Sequence, residues 1–200
     1  KSRSGRYRIV DPYLNFYYRF IAQYQDRLVL GGQKGFVAFL QRELPAFIQQ
    51  QVWPKLCRDW LLMSGLYGTL PISVEKVGGF WKGGRTIDVV GIDRPNKNLI
   101  LATCEWDTAP TKFQPMRDLI NKTRHVLPQT KGQRTLFDND VPREMWNVYY
   151  VGFSANGWAE GAEEKAEQWL QEHDSNQWNM LGVKLVDLQQ IDDDFAHWAY

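Results

Sequence analysis

The sequence predicts an α/β fold in which a mixed central sheet is flanked by helices and preceded by a helical N-terminal segment. Helical periodicity dominates the first third of the chain, and four β-branched apolar runs bounded by Gly, Pro and Asn follow between residues 71 and 154. A strand, helix, strand, helix, strand alternation then closes the sequence, the pattern of helices covering a partly parallel sheet. Crossovers through those two helices are expected to be right-handed.

Taken in order, Tyr7, Arg8, Ile9 and Val10 alternate as a short strand at the end of a hairpin. Asp11 offers a capping carboxylate, and Pro12 suits the first helical position because it has no N–H to leave unpaired. Leu14, Tyr17 or Tyr18, Ile21, Tyr24 and Leu28 recur at helical spacing until Gly31-Gly32. Residues 36–62 are helical again, and Pro54 predicts two helices here, since proline removes an intrahelical hydrogen bond.

Strands are expected over residues 71–76, 86–92, 98–106 and 146–154, with "GIDRPNKN" turning the chain between the second and third. Residues 112–127 form an amphipathic helix: Phe113, Met116, Ile120 and Leu127 share one stripe, while Arg117, Asn121, Arg124 and His125 lie away from it. Residues 129–143 lack periodicity and are expected to form a loop. An acidic helix over 159–173 and a last strand with a helix start follow, Asp187 or Asp192 being suitable caps.

With 44% apolar residues in 200, the chain can bury a substantial core, which excludes disorder as its general state. No apolar run reaches the roughly 18 to 20 residues of a membrane-spanning helix, and no signal-peptide pattern opens the chain. Cys57 and Cys104 lie in apolar segments, as reduced packed thiols of a cytoplasmic protein would, and three scattered histidines give no zinc spacing. Because the first residue is Lys1, the chain is expected to begin inside a longer polypeptide.

The net charge of +1 conceals a polarity. Residues 112–134 carry six Lys/Arg against one acid, and residues 154–200 carry two against ten, so any polyanion is expected at the first segment. Arg3, Arg6 and Arg8, with Lys112, Arg117 and Arg124, are the candidate nucleic-acid contacts. The same charges also read as an ordinary solvated face.

No G-x-S-x-G elbow supports a serine hydrolase, no motif sets a histidine beside either cysteine, and no Walker motif makes "GGQKG" or "GFWKGG" a nucleotide cradle; both are expected to be turns. Phosphodiester hydrolysis with Mg²⁺ needs carboxylates for a hard cation and a positive charge for the phosphate. Residues two apart on a strand share a face, so Asp88 on one strand and Thr103 and Glu105 on the next are placed to converge. From pattern alone both acids read first as ordinary sheet-end carboxylates, or as acids paired with nearby bases such as Arg85 and Lys82.

Together, "GRYRIVDPYLNFYYRFI", "FWKGGRTIDVVGID" and "LILATCEW" resemble the C-terminal domain of unknown function of prokaryotic, AAA-related P-loop ATPases. The resemblance implies two parts: residues 1–65, the end of a winged-helix hairpin followed by helices, and residues 66–200, a restriction-endonuclease-like α/β domain of the PD-(D/E)xK kind. It implies Asp88 as the metal-binding aspartate and an upstream ATPase domain as partner. The family's glutamate and lysine of the next strand correspond to Thr103 and Glu105 here, and a glutamate expected in the entering helix meets Pro54 or Lys55.

The expected function is therefore a DNA-binding or regulatory interaction module with a degraded catalytic site. The alternative is an active Mg²⁺-dependent DNA nuclease, with Asp88 and Glu105 as ligands and Lys76, Lys82 or Lys112 supplying a migrated charge.

Overall fold

In the computed structural model, which describes residues 9, 11–30, 33–82, 84–127, 145–172 and 178–199, Asp11 caps the first helix. Its side chain accepts the Leu14 N–H at 3.0 Å, and Pro12 opens helix α1, Pro12–Phe16. A wide π turn, Tyr17–Ile21, and a break over residues 22–24 precede α2, Gln25–Val29. The predicted single helical run is thus interrupted. The hairpin arginines Arg3, Arg6 and Arg8, and most of the strand expected beside them, lie outside the described residues.

Helix α3, Gln33–Phe47, contains Pro45 and is followed by a second π turn, Ile48–Val52, before α4, Trp53–Leu66. Pro54 falls in the first turn of α4, where its missing N–H costs least. The Trp53 N–H reaches five residues back to the Ile48 carbonyl, which widens the turn before it.

The chain divides into two units between Trp53 and Pro54. In the first, Phe20 and Phe47 are buried with ring centroids 5.3 Å apart at 83°, Phe16 and Phe39 pack on Phe20, and the Arg19 guanidinium lies 5.5 Å from the Phe20 centroid. This is an aromatic cluster of edge-to-face type, favoured by the ring quadrupoles.

The second unit is built on five strands in the order β1 to β5: Lys76–Lys82, Arg85–Asp93, Asn98–Glu105, Trp146–Ser154 and Trp178–Asp187. The first three form an antiparallel meander, and β3, β4 and β5 run parallel. Parallel neighbours need long connections, supplied by α5, Gln114–Val126, between β3 and β4 and by α6, Ala162–Glu172, between β4 and β5. The predicted α/β class with a mixed sheet and a helical N-terminal part is the observed one.

Two strand assignments change. Residues 71–75 are turn and coil although Ile72 and Val74 are β-branched, and "GFWK" belongs to β1 instead of a turn. Long-range pairing decides this: Lys76 to Lys82 meet Ile92 to Arg85 across the hairpin, whereas Val74 is buried as packing against β2.

Helices α5 and α6 cover one face, where Met116, Leu119, Ile120, Ala166 and Leu170 meet Leu99, Leu101, Val148 and Tyr150. The Tyr150 hydroxyl pairs with Thr123 Oγ1 at 2.8 Å, and burial pushes the phenol up to about 12. Helices α4 and α7, Leu188–Trp198, pack together through Trp60. This indole is fully buried, donates to Asp194 Oδ2 at 2.8 Å and meets Phe153 of β4 edge-on at 5.4 Å. Asp187, one of the two expected caps, accepts the Gln190 N–H and starts α7.

Close packing fixes Gly152 in β4. An added Cβ would stand 2.5 Å from Trp158 Cζ2, 2.6 Å from Met116 Sδ and 2.9 Å from Leu185 Cδ2. Gly152→Ala is expected to destabilise the chain by about 1–3 kcal/mol, the scale of core overpacking, read as a lower urea midpoint with an unchanged m-value. An unchanged midpoint would show that Trp158 and Met116 give way freely.

Candidate functional site

The β1–β2 hairpin contains a bulge. Gly78 pairs with Val90 but Phe80 pairs with Ile87, so Asp88 and Val89 together oppose Gly79. A Cβ on Gly79 would approach the Asp88 carbonyl to 3.3 Å, so glycine suits the crowded position opposite the bulge. The extra residue turns Ile87 and Val90 both toward the α5 side, where they are buried, and breaks the strict alternation of the strand. Bulges re-aim side chains, and here the residue re-aimed is Asp88.

Beside it, β2 and β3 stop pairing after Val89 and Ala102. The Cys104 N–H takes as its acceptor Asp88 Oδ2 at 3.0 Å. A side chain thus continues the ladder where the backbone leaves it, and Asp88 is held at the opening between the strands. On β3, Thr103 is buried and its hydroxyl donates to Glu105 Oε1.

Burial first, and then the negative charges of Asp88 and Asp107, raise the Glu105 carboxyl above the usual range; the Thr103 hydrogen bond and the Lys122 ammonium work in the opposite direction. Asp88, Glu105, Asp107 and Lys122 therefore share one electrostatic neighbourhood. Lys122 comes from α5 and donates to the Thr86 carbonyl at 3.3 Å, which ties that helix to β2. Neither Lys76 nor Lys112, expected as migrated charges, acts on Glu105 in this way. Lys122 required the packing of α5 on β2 to be recognised; its place in the basic run was the available sequence signal.

The ends of β3 and β4 are laced together. The Ala155 N–H donates to the Glu105 carbonyl at 3.1 Å, Asn156 Nδ2 donates to the Asp107 carbonyl, and Thr111 Oγ1 and Ser154 Oγ lie 2.7 Å apart. The strand end that bears Glu105 is consequently fixed. On the opposite sheet face Cys57 of α4 neighbours Cys104, both thiols are free, and burial pushes the Cys57 thiol well up. The two cysteines, 47 positions apart in sequence, meet behind Asp88.

Of the expected phosphate contacts, Arg124 is exposed near the end of α5 and Lys112 is exposed before its start, whereas the Arg117 guanidinium lies 5.8 Å from the Trp169 centroid. Partial burial, with the Arg85 and Arg124 guanidiniums close by, holds His125 below the usual histidine range. Arg85, absent from the expected contacts, thus joins Arg124 as positive charge beside His125. Elsewhere a cleft of about 490 Å³ is lined by Trp158, Glu163, Glu164, Asp187 and Asp193, a donor set that repels phosphate.

Donors at the candidate centre fit Mg²⁺ poorly. One Asp88 oxygen is engaged by a backbone amide and one Glu105 oxygen by Thr103; among the described residues no group of three or more His, Cys, Asp or Glu is arranged to hold a metal ion.

Because Glu105 is raised when folded, its neutral form is favoured: the associated stability is complete below the ordinary glutamate value of about 4.3 and is lost as pH rises through the folded value. Glu105→Gln keeps the acceptor for Thr103 and removes the charge. Its melting temperature is expected to exceed the parent's at pH 7, with the gap closing toward pH 4; a gap independent of pH would contradict this.

Residues 17–117 match the DUF234 family, described as archaeal and bacterial proteins of unknown function. This segment includes Asp88, Thr103 and Glu105 and ends inside α5, before Lys122 and Arg124. An uncharacterized protein of Methanocaldococcus jannaschii is 26% identical over 131 residues, covering 63% of this chain and 28% of the relative. The chain thus spans less than a third of the length of that curated relative. No solved structure matches it. With half of its length matched by the family, the chain belongs to the DUF234 proteins.

Proposed function

We propose that this chain is a restriction-endonuclease-like module, carried on the polypeptide of a P-loop ATPase, that binds DNA or regulates its partner domain without efficient catalysis. The observation that carries the reading is the site at the parting of β2 and β3. An aspartate stands on a bulge of the second strand, and the positions of the third that the resemblance assigns to a metal-binding glutamate and a lysine carry Thr103 and Glu105. The order of helix α4, an antiparallel three-strand meander, crossover helix α5 and a strand parallel to β3 supports this ancestry.

The chemistry supports loss of catalysis. Thr103 is a hydroxyl where an anionic ligand is needed, and it is spent on Glu105. Glu105 brings negative charge to a place where a phosphate requires positive charge, and neighbouring acids already disfavour its ionisation. Phosphate contacts on Arg85, Lys112 and Arg124 would leave affinity for a polyanion without cleavage.

A second reading, an active Mg²⁺-dependent DNA nuclease with Asp88 and Glu105 as ligands, draws support from Lys122. Its ammonium acts on Glu105 from α5 and supplies a cation near the place where the strand has lost one.

Supercoiled and linear DNA incubated with the full chain, with and without Mg²⁺ or Mn²⁺, separates the two. The expected outcome is no metal-dependent cutting by the parent, Asp88→Ala or Glu105→Ala, together with binding that weakens steeply as salt rises. Cutting by the parent that disappears in both variants would establish the second reading. No affinity for DNA even at low salt would leave the regulatory role alone.

A further inference from the structure

Helix α4 lies on the sheet face opposite α5 and α6, within the second unit. Cys57, Trp60, Leu61 and Ser64 recur along it at helical spacing, and all four are fully buried. An added Cβ on Gly91 of β2 would stand 2.9 Å from Leu61 Cδ2, so helix and strands approach closely here. On β3, Leu99 and Leu101 enter the α5 core, and strand alternation puts Ile100, Ala102 and Cys104 on the α4 face. Cys104 is the register partner of Phe153 in β4, whose ring meets Trp60 edge-on at 5.4 Å. Cys57 precedes Trp60 by about one helical turn, which brings its thiol beside that of Cys104.

Two neighbouring thiols can serve packing, metal binding or oxidation. Packing asks for no second sulfur, since a buried cysteine behaves as any small apolar side chain. Metal binding needs further donors, and among the described residues no group of three or more His, Cys, Asp or Glu is arranged to hold an ion. Oxidation to a disulfide needs one cysteine within reach of solvent, a second beside it and a cation that favours a thiolate. Cys104 is partly exposed, Cys57 is wholly buried next to it, and the Arg58 guanidinium acts on Cys57 in that sense. The Arg58 Nε–H is buried and has no hydrogen-bond partner among the described residues. Burial and the Asp88 charge oppose ionisation of Cys57, so Cys104 is the thiol an oxidant meets first and Cys57 the one that resolves it.

We propose that Cys57 and Cys104 are a reversible oxidation site, in which hydrogen peroxide joins them into a disulfide that ties α4 to the end of β3. Cys104 Sγ attacks one peroxide oxygen and the O–O bond breaks; the departing hydroxide takes the thiol proton and leaves as water, and a sulfenic acid remains. Cys57 Sγ then attacks Cys104 Sγ, the S–O bond breaks, and the hydroxide released takes the Cys57 proton. The two thiols lose two electrons and two protons, and the peroxide is reduced to water. A dithiol reductant reverses the step by exchange and is itself oxidised. Cys104 also gives its N–H to Asp88 Oδ2, so the new bond acts on the strand end that carries the candidate site. The inference goes beyond the proposed function and does not depend on what that site binds.

The test treats the reduced full chain with hydrogen peroxide, quenches it, alkylates it in denaturant and weighs it by intact mass spectrometry before and after dithiothreitol. The expected result is loss of both alkylatable thiols and of two hydrogens, a Cys57–Cys104 cross-linked peptide in a non-reducing digest, and full return on reduction. The oxidised chain is expected to have the higher urea midpoint, because the bond closes a long loop of the unfolded chain. In Cys57→Ser, dimedone should trap a single sulfenic acid, on Cys104. In Cys104→Ser the remaining buried thiol should react with neither peroxide nor dimedone.

Two thiols still open to alkylation after peroxide would overturn the proposal, as would oxygen added to either sulfur of the parent without a cross-link. A bond between two chains, seen as a dimer on a non-reducing gel, overturns it too, and so does a cross-link that forms only in urea. These readouts come from the parent chain, so they decide the matter even where Cys57→Ser does not fold. None involves DNA, which keeps them separate from the outcome of the cleavage and binding assays.

Discussion

Two antiparallel strands that separate leave backbone donors and acceptors without their ladder partners, and those groups must find others. In this chain the Asp88 carboxylate takes the Cys104 N–H at the point where β2 and β3 part. The bulge opposite Gly79 is what aims the carboxylate there. Much of the site follows from that one acceptor: Thr103 and Glu105 lie on either side of the bonded residue, and Cys104 turns its thiol to the opposite face, toward Cys57. The same bond keeps an exposed acid in one place without requiring a cation to hold it.

That arrangement is held by the sheet and by local side-chain partners. Asp88 has a structural task in the sheet that a metal ligand elsewhere on the strand would lack. Thr103 is buried and satisfied by Glu105, so the pair is locally self-consistent, and the remaining cost falls on the Glu105 charge, partly relieved by Lys122. Burial and the neighbouring charges of Asp88 and Asp107 disfavour the ionised form of Glu105, which the Thr103 hydrogen bond and Lys122 partly offset.

Legibility of the fold in the sequence divides along the range of the interactions. Local signals were readable: Asp11 and Asp187 as caps, the α5 stripe of Met116 and Ile120, and the turn after Asp93. Signals that depend on a distant partner were not. Residues 71–75 look like a strand because Ile72 and Val74 are β-branched, yet Val74 owes its burial to contact with Gly91. "GGFWK" looks like a turn because of its glycines, although Phe80 inward and Trp81 outward is the alternation of a strand. In the candidate site Asp88, Thr103 and Glu105 could be named from spacing. The bulge, Lys122, Arg85 and the meeting of Cys57 with Cys104 could not, since each joins elements far apart in the chain.

Charge polarity along the chain has two physical origins that the structure separates. Arg124 occupies the last turn of α5, and Glu163 and Glu164 the first turn of α6, so each lies at the helix end whose partial charge it complements. Helix electrostatics accounts for these three charges of the basic and acidic blocks without any ligand. Arg85 is different. It lies on a strand, where no helix dipole favours it, and it adds positive charge beside Arg124 and a histidine already disfavoured as a cation. A like-charged neighbour on a strand is a repulsion that no helix end offsets, so the charge of Arg85 has a different origin from that of Arg124.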